Sequence, residues 1–399
     1  MSVTAAQGFV AAGIASGIKP SGRPDVALVA TADHRPVTAA GVFTTNLVAA
    51  APVQVSRRHL AGAPRAAAVV LNSGNANAAT GAGGLRVAER TCAIAAVELG
   101  CVLDDVLVCS TGLIGIPMDS APFESGIPKL VAALSATREA AGRAAAAIMT
   151  TDTVAKEAVA VVTVADGIVT VGGMAKGAAM LSPAMATMLA VVTTDAAVEP
   201  RVLHVALERA VDASFNQMTV DGSRSTNDTV LVLANGTAGN APIGFEGPDI
   251  HLLTNALIAV CTSLADQMAA DAEGSTKFVR IHVRGARSKE DARRAARAVA
   301  ESQLVKCSLF GGDPYWGRVL SELGASGSYL EPDLVDIAYN GITVCAGGEA
   351  TAHDGTALKA AMAEREIEIT ADLRLGLGEA TVTTVDLTPA YIDENMSTS

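Results

Sequence analysis

Aromatic side chains are scarce in this 399-residue chain, which has 7 Phe, 4 Tyr and 1 Trp. Half of the residues are nevertheless hydrophobic, so the apolar mass is mostly Ala and Val. A core built from such small side chains must pack closely. Positive charge is also short. Lys and Arg number 29 against 41 Asp and Glu, a formal net charge of −12. That balance excludes phosphate backbones and anionic membranes as expected partners, while leaving room for a local basic pocket that binds small acids.

Cysteine is sparse and unpatterned. Cys92, Cys101, Cys109, Cys261, Cys307 and Cys345 show no Cys-x-x-Cys or Cys/His ligand spacing, which excludes the usual zinc sites. Reduced core thiols are the expectation, and no metal or other cofactor is expected. The six histidines fall in unrelated contexts, so no Ser-His-Asp arrangement is argued. "NSGNANAATG" lacks the Lys-Ser/Thr ending of a phosphate loop and reads as a turn-rich structural loop near the site. Trp316 in "DPYWGR" reads as a core or turn anchor. The N-terminal stretch has neither a basic n-region nor a long apolar h-region, so a cytoplasmic protein is expected. Internal repeats and low-complexity linkers are lacking too.

What is present is punctuation. With 37 Gly, tight turns are expected to be common. "AVAVVTVADGIVTVGG" sets Asp166-Gly167 between Val-rich runs, and "VDIAYNGITVCAG" sets Asn340-Gly341 likewise; both predict type I′ hairpins. "EIEITADLRL" alternates like a half-buried strand, and "TVLVLANG" and "DDVLVCSTG" read as buried strands ending in turns. Helices are predicted at "LRVAERTCAIAAVELG", stopping at Gly100, and at "EPRVLHVALERAVDASF", with Pro200 in the first turn. "SKEDARRAARAVAE" adds a helix with Ser288 and Asp291 at capping-box spacing. Hairpins mixed with helices predict an α+β layered fold rather than a parallel doubly wound sheet.

One long run carries no charge, from Gly177 to Thr194. Pro183 near its middle, Lys176 at its edge and a Thr/Val-rich second half argue against a membrane span. A buried strand or helix fits better. Thr187 follows the small residue Ala186 and opens the apolar strand, which is what an N-terminal nucleophile needs after chain cleavage. A threonine hydroxyl is weak alone, and its own free α-amine is one remedy. That amine titrates at about 7.7–8.0, so much of it is unprotonated near neutral pH.

The motifs "LNSGNANAATG", "STGLIG", "IMTTD", "MAKGAAMLSPAMATML", "DGSRSTNDT", "DAEGSTK" and "FGGDPYWGR" occur in the chain. As a set they resemble the ornithine acetyltransferase (glutamate N-acetyltransferase) family of arginine biosynthesis. The resemblance extends from "GFVAAGIASGIK" to "YIDEN". It implies an αββα sandwich like the N-terminal-nucleophile folds, with a smaller C-terminal α+β domain. It also implies self-cleavage between Ala186 and Thr187 into an α chain, 1–186, and a β chain, 187–399. Residues 187–277 would complete the catalytic layers and 278–399 would form the smaller domain.

The implied reaction moves acetyl from N-acetylornithine to glutamate through an acetyl-Thr187 intermediate. Thr111 and Gly112 match the family's oxyanion hole. Lys176, Thr151, Glu273, Asn395 and Ser399 match its substrate contacts, with Lys176 on an α-carboxylate and Glu273 on the ornithine δ-ammonium. The implied partners are these small molecules and a second copy, giving a heterotetramer of two α and two β chains, with no nucleic acid and no membrane. Whether acetyl-CoA serves as a second donor is left open. The chain departs from the pattern at Ala179, Ser223, Tyr315 and the short tail after Asn395. Ala179 replaces a usual Gly, which requires a negative φ there. Two other readings stay open: a self-processing aminopeptidase or amidohydrolase of the same fold, and a non-enzymatic structural or membrane-associated protein.

Overall fold

The computed structural model describes residues 2–181 and 188–396. Two compact units emerge, Met1–Asn216 with Ser223–Met268, and Gln217–Gly222 with Ala269 onward.

In chain order the first unit holds β1 (Phe9–Ile14), β2 (Val26–Thr31), β3 (Val37–Phe43), α1 (Ala51–Gly62), β4 (Arg65–Ala66) and β5 (Ala68–Asn72). Then come α2 (Gly81–Leu99), β6 (Val106–Ser110), α3 (Ala121–Ala132), α4 (Arg138–Ala147), β7 (Lys156–Val164) and β8 (Gly167–Lys176). After the gap lie β9 (Leu189–Thr194), α5 (Pro200–Ala213), β10 (Thr229–Ala234) and α6 (Asp249–Ala270). Two sheets form, in the orders β1-β2-β5-β6 and β4-β3-β10-β9-β8-β7.

Strands β2, β5, β6, β9 and β10 are buried on both faces, which is why they read as continuous rather than alternating. Phe9, Val29, Leu71, Leu107 and Cys109 of the first sheet meet Met174, Leu189, Val191, Leu231 and Leu233 of the second. Their intervening neighbours Leu28, Val70 and Val108 pack outward under Cys92, Phe123 and Leu130 of α2 and α3. On the far side α5 packs on β3. There α6 comes so close that a Cβ on Gly173 of β8 would lie 3.0 Å from Val260 and 3.2 Å from Leu264. The layers are therefore α, β, β, α, the arrangement expected from the sequence.

The second unit begins its regular structure with β11 (Phe278–Ala286), followed by α7 (Lys289–Glu301), α8 (Gln303–Phe310), α9 (Trp316–Ala325), β12 (Asp336–Tyr339) and β13 (Ile342–Ala346). It ends with β14 (Glu349–Ala350), α10 (Gly355–Ala363), β15 (Glu366–Asp372), β16 (Gly378–Val385) and α11 (Pro389–Asn395). Its sheet runs β14-β13-β12-β15-β11-β16. Ile281, Ile337 and Ile369 of that sheet pack against Ala292, Ala296 and Val299 of α7, with Trp316 partly buried at the edge.

Local signals decide most of these boundaries. Ser288 caps α7 by accepting from the Asp291 amide at 3.1 Å, Pro200 opens α5, and Gly100 closes α2 at φ 72°. Asn340 and Gly341 both have positive φ, 45° and 79°, as a type I′ hairpin demands. The other expected hairpin is corrected. Val164 pairs with Gly167, so the loop is Ala165-Asp166, one residue earlier than expected, and neither residue has a positive φ. The Ala165 amide donates to Asp249 at the start of α6, 3.2 Å away, and this tertiary tie selects the turn. Ala179 is not among the positive-φ residues, so its methyl is tolerated; Met180, next to it, takes φ 54°.

The six cysteines are all free, but Cys307 departs from the expected core thiols: it is exposed, on the outer face of α8 beside inward-facing Val305 and Leu309. By length and composition α6 alone among the described helices matches a membrane span, and more than half of its most apolar window is buried inside the protein.

Candidate active site

Lys176 is the last residue of β8, paired with Leu189 of β9. Its exposure is 2%, which removes it from the class of ordinary surface lysines. Nζ donates to Thr150 Oγ1 at 2.7 Å and to Thr111 Oγ1 at 3.3 Å. Asp152 Oδ2 stands 3.8 Å away. Asp152 is itself enclosed. Its Oδ1 accepts from Lys156 Nζ at 2.6 Å and from the Gly177 amide at 2.7 Å, and its Oδ2 accepts from the Thr150 amide at 2.9 Å. Burial alone would raise this carboxyl, but the Lys176 and Lys156 ammonium groups and these donors hold it down at about 2. Two buried lysines thus share one buried aspartate.

Thr111 and Gly112 follow β6 directly. Gly112 has φ +132°, and a Cβ there would lie 2.4 Å from the Gly74 carbonyl carbon and 2.5 Å from the Asn75 nitrogen. Only glycine lets the two loops approach that closely. Asn72 ties the loops together: its carbonyl accepts from the Thr111 amide at 2.9 Å, its Oδ1 from Ser110 Oγ at 2.6 Å, and its Nδ2 donates to Asn75 O at 2.9 Å. "NSGNANAATG" therefore shapes the Thr111-Gly112 turn. Because the Thr111 hydroxyl accepts from an ammonium, its own hydrogen is directed to a further acceptor.

This geometry changes what Lys176 does. The family resemblance implies carboxylate binding alone, yet the Lys176 ammonium also donates to Thr111. Lys176→Ala is therefore expected to raise KM and to lower kcat together. Thr111→Ala should lower kcat by about 10²–10³ with little change in KM, the signature of a lost transition-state donor. Steady-state kinetics on both variants check this, and equal kcat losses with unchanged KM in both would contradict the division.

Among the expected site residues, Thr111, Gly112 and Lys176 come together. Thr151 is exposed, and it is the neighbouring Thr150 that bonds Lys176. Glu273 and Asn395 belong to the second unit. There Asn395 Nδ2 donates to Glu273 Oε2 at 2.8 Å, and Glu273 is 7% exposed. Asn395 does not fray: it closes α11, whose first turn is capped by Thr388 accepting from the Tyr391 amide at 3.2 Å. Ala186, Thr187 and Ser399 lie outside the described residues.

Thr150, Asp152 and Lys156 were missed by sequence reasoning, although "IMTTD" contains the first two. Lys19 was missed as well. Its ammonium donates to the carbonyls of Met149 at 2.7 Å and Pro24 at 2.9 Å, so it holds the 149–152 turn. Burial, with Arg23 nearby, pushes its amine down to about 8. No signal short of the fold marks these charges as buried. Among the described residues no group of three or more His, Cys, Asp or Glu is arranged to hold a metal ion.

The fold is a layered α+β arrangement in which the end of β8 and the turn after β6 bring Lys176 and Thr111 together. The ArgJ family model matches residues 10–398. The arginine biosynthesis bifunctional protein ArgJ of Symbiobacterium thermophilum is 47% identical over 397 residues, 99% of this chain and 98% of that protein. The protein of the same name from Mycolicibacterium paratuberculosis is 47% identical over 407 residues, 100% of this chain and 96% of that one. A crystal structure of arginine biosynthesis bifunctional protein argJ from Bacillus halodurans aligns at 35% identity and TM-score 0.50, covering 51% of this chain and 96% of that chain. The chain belongs to the ArgJ family. It is an acyltransferase enzyme of arginine biosynthesis.

Proposed function

We propose that the chain cuts itself between Ala186 and Thr187 and then carries acetyl on Thr187 from N2-acetyl-L-ornithine to L-glutamate. The observation that carries this reading is the Lys176–Thr111–Thr150 cluster, in which Lys176 ends β8 opposite Leu189, two residues past Thr187.

In the cleavage step Thr187 Oγ attacks the Ala186 carbonyl carbon. The C–N bond breaks, the nitrogen gains a proton, and water then opens the ester. The two products stay in one sheet, because β8 ends the first and β9 begins the second, with six residue pairs between them. In the transfer the new α-amine takes the Thr187 hydroxyl proton as Oγ attacks the acetyl carbonyl. The acetyl–nitrogen bond breaks, ornithine leaves with that proton, and the glutamate amine takes the acetyl by the reverse path. Thr111 and Gly112 hold the oxyanion of each tetrahedral intermediate. Lys176 holds the α-carboxylate common to both amino acids, with Thr151 beside it. Glu273, held by Asn395, takes the ornithine δ-ammonium, and Ser399 adds a contact from the tail. Two αβ pairs form the tetramer in this reading.

Purified chain incubated with glutamate and N-acetylornithine should yield N-acetylglutamate and ornithine. A parallel arm with acetyl-CoA tests the second donor. Free acetate with no N-acetylglutamate would replace transfer by hydrolysis, the aminopeptidase-like alternative.

A further inference from the structure

The motif "DGSRSTNDT" has no task in the cluster around Lys176. Its Asn227 lies two residues before β10, is 3% exposed, and has every hydrogen-bonding group engaged. The Thr226 hydroxyl donates to Oδ1 at 2.6 Å, which fixes the other end of the amide as the NH2 group. That group spends its two hydrogens on Ala76 O at 2.6 Å and on Ser110 O at 2.8 Å. The residue is itself held: its backbone amide donates to Ser225 Oγ at 3.0 Å and its carbonyl accepts from Thr229 Oγ1 at 2.9 Å.

The two acceptors belong to the two loops that touch at Gly112. Ala76 also donates its amide to Leu113 O, just past Gly112, at 3.0 Å. Ser110 O is the carbonyl of the peptide that leads into Thr111, and the N–H of that same peptide donates to Asn72 O at 2.9 Å. A planar trans peptide held on both edges cannot rotate. The Thr111 side chain and the Gly112 amide start from this fixed plane. Asn72 reaches it from β5, the neighbour of β6 in the first sheet, whereas Asn227 reaches it from the segment entering β10 of the second sheet. Lys176 ends β8 of that second sheet, so the sheet that supplies the lysine also holds the Thr111 turn. Two donors on one short side chain are what the place demands. An aspartate here would set a carboxylate against two carbonyl oxygens.

We propose that Asn227 is a positioning residue for acyl transfer, locking the Ser110–Thr111 peptide to the second sheet so that the Thr111 hydroxyl and the Gly112 amide are aimed at the oxyanion. This rests on the reading in which Thr111 and Gly112 hold that oxyanion.

Asn227→Ala removes both donors. Its kcat per cut chain, with cut chain counted by intact mass, should fall by about 10²-fold, the low end for loss of one oxyanion donor. KM for both substrates should stay within about threefold, because Lys176 keeps its bond to Thr150, on a turn to which Asn227 makes no hydrogen bond. Combining the change with Thr111→Ala separates positioning from general damage. Residues that act as one unit are not additive, so within Thr111→Ala the further change should cost no more than about tenfold. Asn227→Ser, which keeps one short donor, should lose less, and it runs the same cycle where the alanine variant does not fold. If Asn227→Ala turns over like the unaltered chain, repeats its full 10²-fold loss on top of Thr111→Ala, or raises KM by about tenfold, the lock is wrong and the function stands. A variant that folds and never cuts overturns the lock as well, since a displaced turn slows a step by a bounded factor. If Thr111→Ala alone turns over like the unaltered chain, the oxyanion assignment fails and the lock with it.

Discussion

Thr187→Ala is expected to remain one chain of 399 residues and to transfer no acetyl above background. Removing the nucleophile of a comparable acyl-transfer enzyme costs on the order of 10⁶ in kcat. Here one hydroxyl serves twice, so one substitution should remove both cleavage and turnover. Loss of activity by unfolding is separable, because the side chain lost is small. The thermal midpoint should therefore stay close to that of the unaltered chain. Thr187→Ser retains a hydroxyl and is expected to cut, more slowly, and to transfer. Cleaved Thr187→Ala protein would show that another group makes the cut.

Asp152→Asn is expected to have the largest effect on stability, a loss of about 3–5 kcal/mol, read from chemical denaturation. The carboxylate is the counter-charge of Lys156, at 2.6 Å with both side chains at 0% exposure, and of Lys176 at 3.8 Å. Neutralising it leaves two buried ammonium groups facing an amide, the costly direction in which to break a buried pair. The pH dependence has a definite sign. The folded value of about 2 lies below the ordinary value of about 3.9, so the carboxylate stabilises the fold fully above about pH 4. That contribution, about 2–3 kcal/mol for a shift of this size, is lost as pH falls from about 4 to about 2. The unaltered chain should lose stability steeply in that window and the variant should lose less. Equal slopes would mean that Asp152 is not the titrating group. Because Asp152 also accepts from the Gly177 amide and stands by Lys176, the variant should raise KM even where it is folded.

What was legible in the sequence is what local chemistry decides. Ser288, Pro200 and Gly100 bound their helices as read, and Asn340-Gly341 turns as read. The layered class followed from apolar runs such as "TVLVLA" between helices, because a strand buried on both faces has no polar alternation to hide. What was not legible depends on contacts distant in sequence. Asp249 lies 84 positions from Ala165, yet it moves the hairpin loop by one residue. Which of two adjacent threonines bonds Lys176 depends on how the chain leaves α4, and here it is Thr150. Nothing in the sequence marks Asp152 and Lys156 as buried charges; the fold does. Thr111, Gly112 and Lys176 were reached through the family resemblance; the structure adds the hydrogen bonds by which they act together.

The central claim, a covalent acetyl on a threonine made terminal by self-cleavage, is tested most directly by intact mass. Purified chain should appear as two species, 1–186 and 187–399. After a brief incubation with N-acetylornithine and no acceptor, the second species alone should gain one acetyl group. Peptide mapping should place it on Thr187, and added glutamate should remove it. A single uncut chain that transfers acetyl, or two chains that turn over without an acetylated second species, would contradict the account.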